Sequence, residues 1–386
     1  MSAPTVPESG STIGRLLQSA RKPMARTTDF RVLWALIIAL NLFGLLMILS
    51  ASSVTALYQY GSSWYQFRMQ AAWFLLGCGA LFVMSRTPYQ RLPRLTKPLL
   101  AISAVLMIIV LIPGLGIEVN GSNRWFGVGP LRMQPSELVK LAVILYAAET
   151  LTRRVAQIGD WKAVLRPVVI VFLGFAILLM AQPNLGTTII LATIVLVLLF
   201  VGGVPTKALA VLTGGLVAGA TLFAFLEPYR FRRLMAFTDP WADKLSTGFQ
   251  TIQSQIGFAN GGMLGTGVGQ GRAKWGFLPE AHTDFIYAII GEEMGLLGSA
   301  VVIGAFLSFA IFGVRTALRA RDRFGMLLAT GVTTWILVQA FINIGACVGV
   351  LPVTGVPLPF VSAGGSSLVV TMAASGILLN VARREH

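Results

Sequence analysis

The sequence predicts an all-α, polytopic membrane protein of about ten transmembrane helices, with one long extracytoplasmic loop between helices seven and eight. Three observations carry that prediction. Of the 386 residues, 55% are hydrophobic and only 12% charged, where a soluble domain carries about 25% charge. Nearly uncharged runs long enough to cross a bilayer recur along the chain. Lys and Arg gather in the links between alternate runs.

Residues 1–28 are polar and basic, with Arg15, Arg21, Lys22 and Arg26. They read as a flexible cytoplasmic tail ahead of a single membrane domain, 29–386. No apolar run lies at the extreme N-terminus, so no ordinary cleavable signal peptide is expected. The run from Val32 past Leu49 then serves as an uncleaved first span. The expected spans are 32–52, 69–85, 97–115, 135–151, 166–182, 185–203, 206–227, 284–313, 325–350 and 365–382.

An even number of spans puts both termini on one side. Arg86, Arg91, Arg94 and Lys97 fall on that side, as do Arg153, Arg154, Lys162 and Arg166. So do Arg315, Arg319, Arg321 and Arg323, and Arg383 and Arg384 after the last span. The short opposite loops, 53–68, 182–185 and 351–364, hold Arg68 and no Lys. The positive-inside rule places both termini in the cytoplasm. Topology thus accounts for the net charge of +15, and nucleic acid is not an expected partner. Cys78 and Cys347 lie in apolar runs, and the histidines are His282 and His386. Neither a disulfide framework nor a zinc site is expected.

Charges inside spans are costly and commonly face a cavity or a partner. Span four opens Gln134-Pro135-Ser136-Glu137-Leu138-Val139-Lys140. Pro135 suits a first helical turn, and Glu137 suits the positive end of the helix dipole. A spacing of three puts Glu137 and Lys140 on one face. Two readings stand: a self-satisfied pair that locks the bundle, or the wall of a polar cavity. Span eight opens with Asp284 and carries Glu292 and Glu293. Asp284 and Glu292 lie about 80° apart around a helix and about 12 Å apart along it, so both can face one cavity. Read alone, Asp284 is a helix N-terminal carboxylate stabilised by the dipole.

Residues 228–283 form a non-spanning segment of about 55 residues, and loops that long are usually functional. The segment carries Arg230, Arg232 and Arg233, Asp239-Pro240-Trp241, then Gln253-Ser254. A glycine cluster follows: Gly261, Gly262, Gly265, Gly267, Gly269 and Gly271. Glycines let backbone approach a ligand closely. No Gly-Lys-Ser/Thr follows and no strand is expected before them, so a P-loop is disfavoured. Basic residues flanking the cluster either face a pyrophosphate or are solvated charges. The last outer loop, Leu351 to Ser367, has three prolines and no charge. It reads either as a rigid loop or as a segment re-entering the membrane against protein.

As a set, these motifs resemble the SEDS family (shape, elongation, division and sporulation proteins). The resemblance is carried by Leu278-Pro279-Glu280-Ala281-His282-Thr283-Asp284, Gln134 to Lys140, Asp239-Pro240-Trp241, Gln253-Ser254 and Leu351 to Ser367. Asn120-Gly121-Ser122-Asn123-Arg124-Trp125 matches the family's Arg-Trp motif before span four. The motif order agrees from about residue 30 onward. Gly267-Val268-Gly269, Lys274 and Ala281 resemble the division branch more than the rod-elongation branch. Two positions depart from the family pattern: Asn184 replaces an aspartate and Ala363 a tyrosine.

The resemblance implies polymerisation of lipid II into peptidoglycan glycan strands, in the cell membrane and concentrated at the division septum. The donor leaves as undecaprenyl pyrophosphate, and the acceptor sugar hydroxyl needs a base. Asp284 is the expected catalytic base, worth roughly 10²–10⁴-fold. Glu137 and Lys140 are expected to line its cavity. Arg124, Lys140 or Lys274 would balance the pyrophosphate. Glu280, His282, Gln253, Ser254 and Ser366 complete the substrate-facing set. The resemblance fixes no cofactor; a divalent cation, Mg²⁺ or Mn²⁺, is a candidate to share the pyrophosphate charge. The implied partners are lipid II, a class B penicillin-binding protein and other division proteins. Two other classes compete. A lipid II transporter would hold its substrate near the bilayer midplane, whereas Asp284 lies at the outer edge. A non-catalytic division scaffold would tolerate Asp284→Asn.

Overall fold

The computed structural model describes residues 26–119, 122–128, 131–154, 161–226, 237–244, 246 and 248–383. Each of the ten apolar runs is helical. In chain order the longer helices are α1 (Arg26–Tyr60), α2 (Tyr65–Arg86), α3 (Pro93–Leu111), α4 (Pro135–Arg153), α5 (Trp161–Ala181), α6 (Leu185–Val201), α7 (Thr206–Leu226), α8 (Phe249–Gly261), α9 (Ile286–Leu318), α10 (Arg323–Val348) and α11 (Ser366–Arg383). Seven of them (α1, α2, α3, α5, α9, α10 and α11) are long and apolar enough to cross a membrane on those grounds alone. The apolar helix α6 is shorter, and α7 forms a shorter apolar stretch over Thr206–Gly219. The protein is therefore a helical membrane protein.

Helix starts follow local chemistry. Pro135 opens α4, where its missing N–H has no partner to lose. Asn184 caps α6, its side chain accepting from the Thr187 amide at 3.3 Å. An amide oxygen fills that role as well as a carboxylate would. Asp322 caps α10 through the Gly325 amide at 2.7 Å. Helix α4 carries Glu137, Lys140 and Glu149, yet its side chains are buried almost all round. It is the central helix of the bundle, packed against α3, α6 and α10.

Polar locks gather the ends of several helices on one face. Asp29, fully buried at the start of α1, pairs with Arg319 at 2.8 Å and Arg315 at 3.2 Å near the end of α9. Asn380 near the end of α11 donates to the Ser85 carbonyl at 2.7 Å. The Tyr89 hydroxyl donates to Asp322 at 2.8 Å. This face carries the basic links around Arg86, Arg91, Arg315, Arg319 and Arg321.

Three features differ from the sequence reading. First, the fold is not purely helical. A small antiparallel sheet, β1 (Ile117–Val119), β2 (Ser122–Val128) and β3 (Leu131–Met133), sits between α3 and α4. Second, α9 begins at Ile286, so Asp284 stands in the turn ahead of the helix and not within it. Third, α9 is broken at Gly295, whose φ is +67°. The glycine segment after α8 fills the break: the Leu296 amide donates to the Gly262 carbonyl at 2.9 Å, and the Gly267 amide to the Glu293 carbonyl at 3.0 Å. Interrupted helix at membrane depth is tolerated where protein re-satisfies the backbone. The first helix begins at Arg26; residues 1–25 of the expected tail, and Arg230, Arg232 and Arg233, lie outside the described residues.

The glycine cluster and the two glutamates also have a different use from the one expected. Glu292 does not face a cavity with Asp284. It accepts from the amides of Arg272 at 2.9 Å and Ala273 at 3.1 Å. Glu293 accepts from the Ser50 hydroxyl at 2.7 Å and pairs with Lys274 at 3.2 Å. Gly261, Gly265 and Gly271 approach α9, their own chain. A Cβ at Gly265 would lie 2.2 Å from the Glu293 carbonyl oxygen, at a φ of +81°. A Cβ at Gly269 meets open space at a nearly equal φ of +84°. Both pay a positive-φ cost of about 1 kcal/mol on substitution, but only Gly265 adds a backbone clash. Gly265→Ala should therefore lower the melting temperature in detergent by several degrees more than Gly269→Ala. Equal shifts would show that the segment does not need this close approach.

Candidate functional site

The segment before α9 is a tight turn built on Glu280, which has a φ of +57°. The amides of Thr283 and Phe285 both reach back to the Glu280 carbonyl at 3.2 Å. The Thr283 hydroxyl donates to the exposed Glu280 carboxylate at 2.8 Å. A non-glycine residue held in this region of backbone space is a mark of functional sites. The turn presents Asp284 half-buried on the face opposite the basic links.

The loop 351–367 holds this turn from one side. The Ser362 hydroxyl donates to the Thr283 carbonyl at 2.6 Å, and the Ala363 amide to the His282 carbonyl at 2.9 Å. Backbone makes the second contact, so the loss of the aromatic at position 363 does not remove it. Gly355, at a φ of +70°, lies beside the Asp284 carboxylate, where an added Cβ would make an ordinary contact of 3.5 Å with Oδ2. From the other side, Asn343 of α10 donates to the Asp284 carbonyl at 2.7 Å and to the Val356 carbonyl at 2.8 Å.

Glu137 and Lys140 anchor the other end of the same loop. They form a buried pair at 2.8 Å, with Lys140 1% and Glu137 3% exposed. Lys140 also donates to Gln339 Oε1 at 2.8 Å and stands 4.6 Å from the Trp335 ring centroid. Ser367 donates to Glu137 Oε2 at 3.0 Å. Gln339 donates onward to the Pro357 carbonyl at 2.9 Å. A small cavity lined by Gln339, Pro357, Ser362, Ser367 and Thr371 lies beside the pair. The arrangement is that of a self-satisfied pair: neither Glu137 nor Lys140 lines the cavity, which is reached only through their partners Gln339 and Ser367.

The remaining candidates divide. Ser366, buried, accepts from the Gln134 amide at 3.2 Å and ties α11 to the start of α4. Ser254, fully buried in α8, donates to the Cys347 carbonyl at 2.6 Å; Gln253 beside it is half-buried. Arg124 on β2 donates to the carbonyls of Gln182 at 2.9 Å and Pro183 at 2.7 Å, on the turn between α5 and α6. Lys274 is buried with Glu293 and Ser50. Among the described residues, no group of three or more His, Cys, Asp or Glu is placed to hold a metal ion.

Sequence reasoning missed Gln339 and Asn343. Their signal was available: amide side chains four residues apart in an apolar span.

Burial pushes the His282 imidazole below its ordinary value of 6.5, and the neighbouring Glu280 carboxylate pulls the other way. The folded-state value is depressed, so below pH 6.5 the unfolded chain takes up the proton more readily. Stability should hold above that pH and fall as pH drops through and below it. Melting curves in detergent between pH 7.5 and 5 should show this slope, and His282→Gln should flatten it. An unchanged slope in the variant would assign the loss to other groups.

Comparisons with known proteins show the family. A family model described as cell cycle protein, FtsW/RodA/SpoVE, matches residues 30–386. A relative from Geobacter metallireducens, named a probable peptidoglycan glycosyltransferase FtsW, is 39% identical over 356 residues, covering 92% of this chain and 94% of its own. One of the same name from Mycobacterium tuberculosis is 40% identical over 387 aligned residues, covering 99% of this chain and 73% of its own. A chain solved in a study of how a peptidoglycan synthase complex coordinates polymerization and crosslinking superposes with a TM-score of 0.75 at 30% identity, covering 92% of this chain and 97% of that one. The rod shape determining protein RodA of Thermus thermophilus superposes with a TM-score of 0.66 at 28% identity, covering 92% and 96%. The chain belongs to the FtsW/RodA/SpoVE family of cell cycle proteins, the SEDS family.

Proposed function

We propose that this chain is a peptidoglycan glycosyltransferase of the FtsW type, polymerising lipid II into glycan strands for septal wall synthesis, with Asp284 as general base. The observation that carries the reading is the Asp284 turn. The turn that carries this half-buried carboxylate is held on the face opposite the basic links by bonds from Ser362, Ala363 and Asn343 to its main-chain carbonyls. By the positive-inside rule the basic face is cytoplasmic, as are both termini, and Asp284 looks outward, where lipid II is presented.

The reaction balances as an inverting transfer. Asp284 takes the proton of the acceptor sugar hydroxyl. The oxygen forms a bond to the anomeric carbon of the donor, and the bond from that carbon to the pyrophosphate breaks. Undecaprenyl pyrophosphate leaves with the electron pair. One positioned carboxylate suffices, because the leaving group departs without a proton. Lys140 and Lys274 are each committed to a buried carboxylate. We assign the meeting of the pyrophosphate to Arg124, whose partners on the turn between α5 and α6 include the backbone carbonyls of Gln182 and Pro183. Mg²⁺ is commonly held by one or two carboxylates together with substrate phosphates. Asp284 or Glu280 with the pyrophosphate would fit that pattern for Mg²⁺ or Mn²⁺.

The partner we infer is a class B penicillin-binding protein, with other division proteins. The support is the structural neighbour studied as a synthase complex that couples polymerization to crosslinking. The direct test incubates the purified chain with lipid II, with and without such a transpeptidase, and looks for glycan polymer on a gel. Polymer in either reaction supports the assignment. No polymer in either, together with passage of labelled lipid II across vesicle membranes, would replace it with a transporter.

A further inference from the structure

One edge of α10 carries Gln339, Asn343 and Cys347, spaced by four residues and therefore in one row along the helix. All three are buried, at 1%, 2% and 0% exposure. Each bonds a different part of the site. Gln339 accepts from Lys140 and from Trp335 Nε1, both at 2.8 Å, and donates to the Pro357 carbonyl at 2.9 Å. Asn343 spends both amide hydrogens, on the carbonyls of Asp284 and Val356. The Cys347 thiol lies 3.5 Å from the same Asp284 carbonyl, and its own carbonyl accepts from Ser254 of α8. The row joins α4, the loop 351–367, the Asp284 turn and α8.

We infer that Asn343 is a positioning residue for the transfer, setting the Asp284 carboxylate through the backbone on both sides of it. This rests on the reading of Asp284 as the base. Asn343 has no donor hydrogen left for a ligand, so its contribution is geometric. One amide nitrogen fixes the peptide that carries the base. The same nitrogen fixes the loop whose Gly355 lies beside that carboxylate. An apolar residue at 343 would leave both carbonyls unpaired and release the turn from the loop. Ser362 and Ala363 would still hold the turn at Thr283 and His282. The expected result is a displaced base in a folded protein. Displacement by about 1 Å costs up to about 100-fold in rate.

The test measures polymerisation of lipid II by the full chain with its transpeptidase partner, for Asn343→Leu and for Asn343→Ser, the milder change should the first fold poorly. Rates are taken per folded molecule, counted by size exclusion and thermal melting. The expected result is a kcat lowered about 10- to 100-fold for Asn343→Leu and less for Asn343→Ser, with KM within about twofold of the parent. In an Asp284→Asn background the Asn343 change should add no further loss, since it acts through that side chain. A parental kcat per folded molecule would overturn the inference. So would a change confined to KM, or an equal loss in both backgrounds. Full activity of Asp284→Asn alone would instead remove the base, a distinguishable failure.

Discussion

Asp284→Asn should slow glycan polymerisation by roughly 10²–10⁴-fold, the usual worth of a positioned general base. The substitution keeps the shape of the side chain and removes its capacity to take a proton. The backbone around it should stay in place, because Asn343, Ser362 and Ala363 grip main-chain carbonyls of the turn and not the carboxylate. The loss should therefore appear in kcat, with KM for lipid II close to the parent. That is the signature of an interaction made only in the transition state. Glu280→Gln is the matched control. That carboxylate is exposed, engaged by the Thr283 hydroxyl and takes no proton in the transfer, so its neutral isostere should lose less rate than Asp284→Asn. Gel-resolved polymer from lipid II over a time course decides between them. A rate for Asp284→Asn within threefold of the parent would leave the site without its base.

The helices were legible in the sequence because hydrocarbon imposes one demand everywhere: satisfy the backbone within the segment and present apolar side chains. Even α4 could be placed, since Pro135 and Glu137 mark a helix start whatever the hydropathy. The sheet was not legible. Its strands are three to seven residues long and carry Glu118, Arg124 and Arg132, so no alternation lasts long enough to register. The Asn120-Gly121 dipeptide between β1 and β2 was the available hairpin signal.

The site was legible unevenly. Motif resemblance drew attention to the Asp284 turn and the loop 351–367, but not to what joins them. Gln339 and Asn343 belong to no charged pattern, and their partners in α4, the Asp284 turn and the outer loop lie 13 to 199 residues away. The glycine cluster was seen and assigned to a ligand. Glycine records that something comes close, and only the fold shows that the close neighbour is α9. Likewise Glu292 lay at a helical spacing suited to sharing a cavity with Asp284. That spacing assumed one continuous helix through Asp284, and the helix starts after it.

The other large effect should come from Lys140→Met. Lys140 and Glu137 are an ion pair removed from solvent, and their Coulomb attraction in that setting is offset by the cost of dehydrating two charges. The pair as a whole adds little stability; breaking it is what costs. With methionine at 140, Glu137 keeps only the Ser367 hydroxyl and must stay charged without a counter-ion or take up a proton. Gln339 Oε1 loses the ammonium, and the cation leaves the Trp335 ring. Loss of one partner from a buried pair is expected to destabilise by about 3–5 kcal/mol. Replacing both, as Glu137→Gln with Lys140→Met, should recover a substantial part of that, because no buried charge is left unmatched. Thermal melts in detergent for the two single variants and the double variant form a closed cycle, and a large coupling term is the expected outcome. Additive losses would mean that the two side chains stabilise the bundle independently. The cycle also separates fold from chemistry. The pair reaches the loop 351–367 through Ser367 and through Gln339 to Pro357. If its work is to hold that loop beside Asp284, the double variant should regain folded protein while its polymerisation rate per folded molecule stays below the parent.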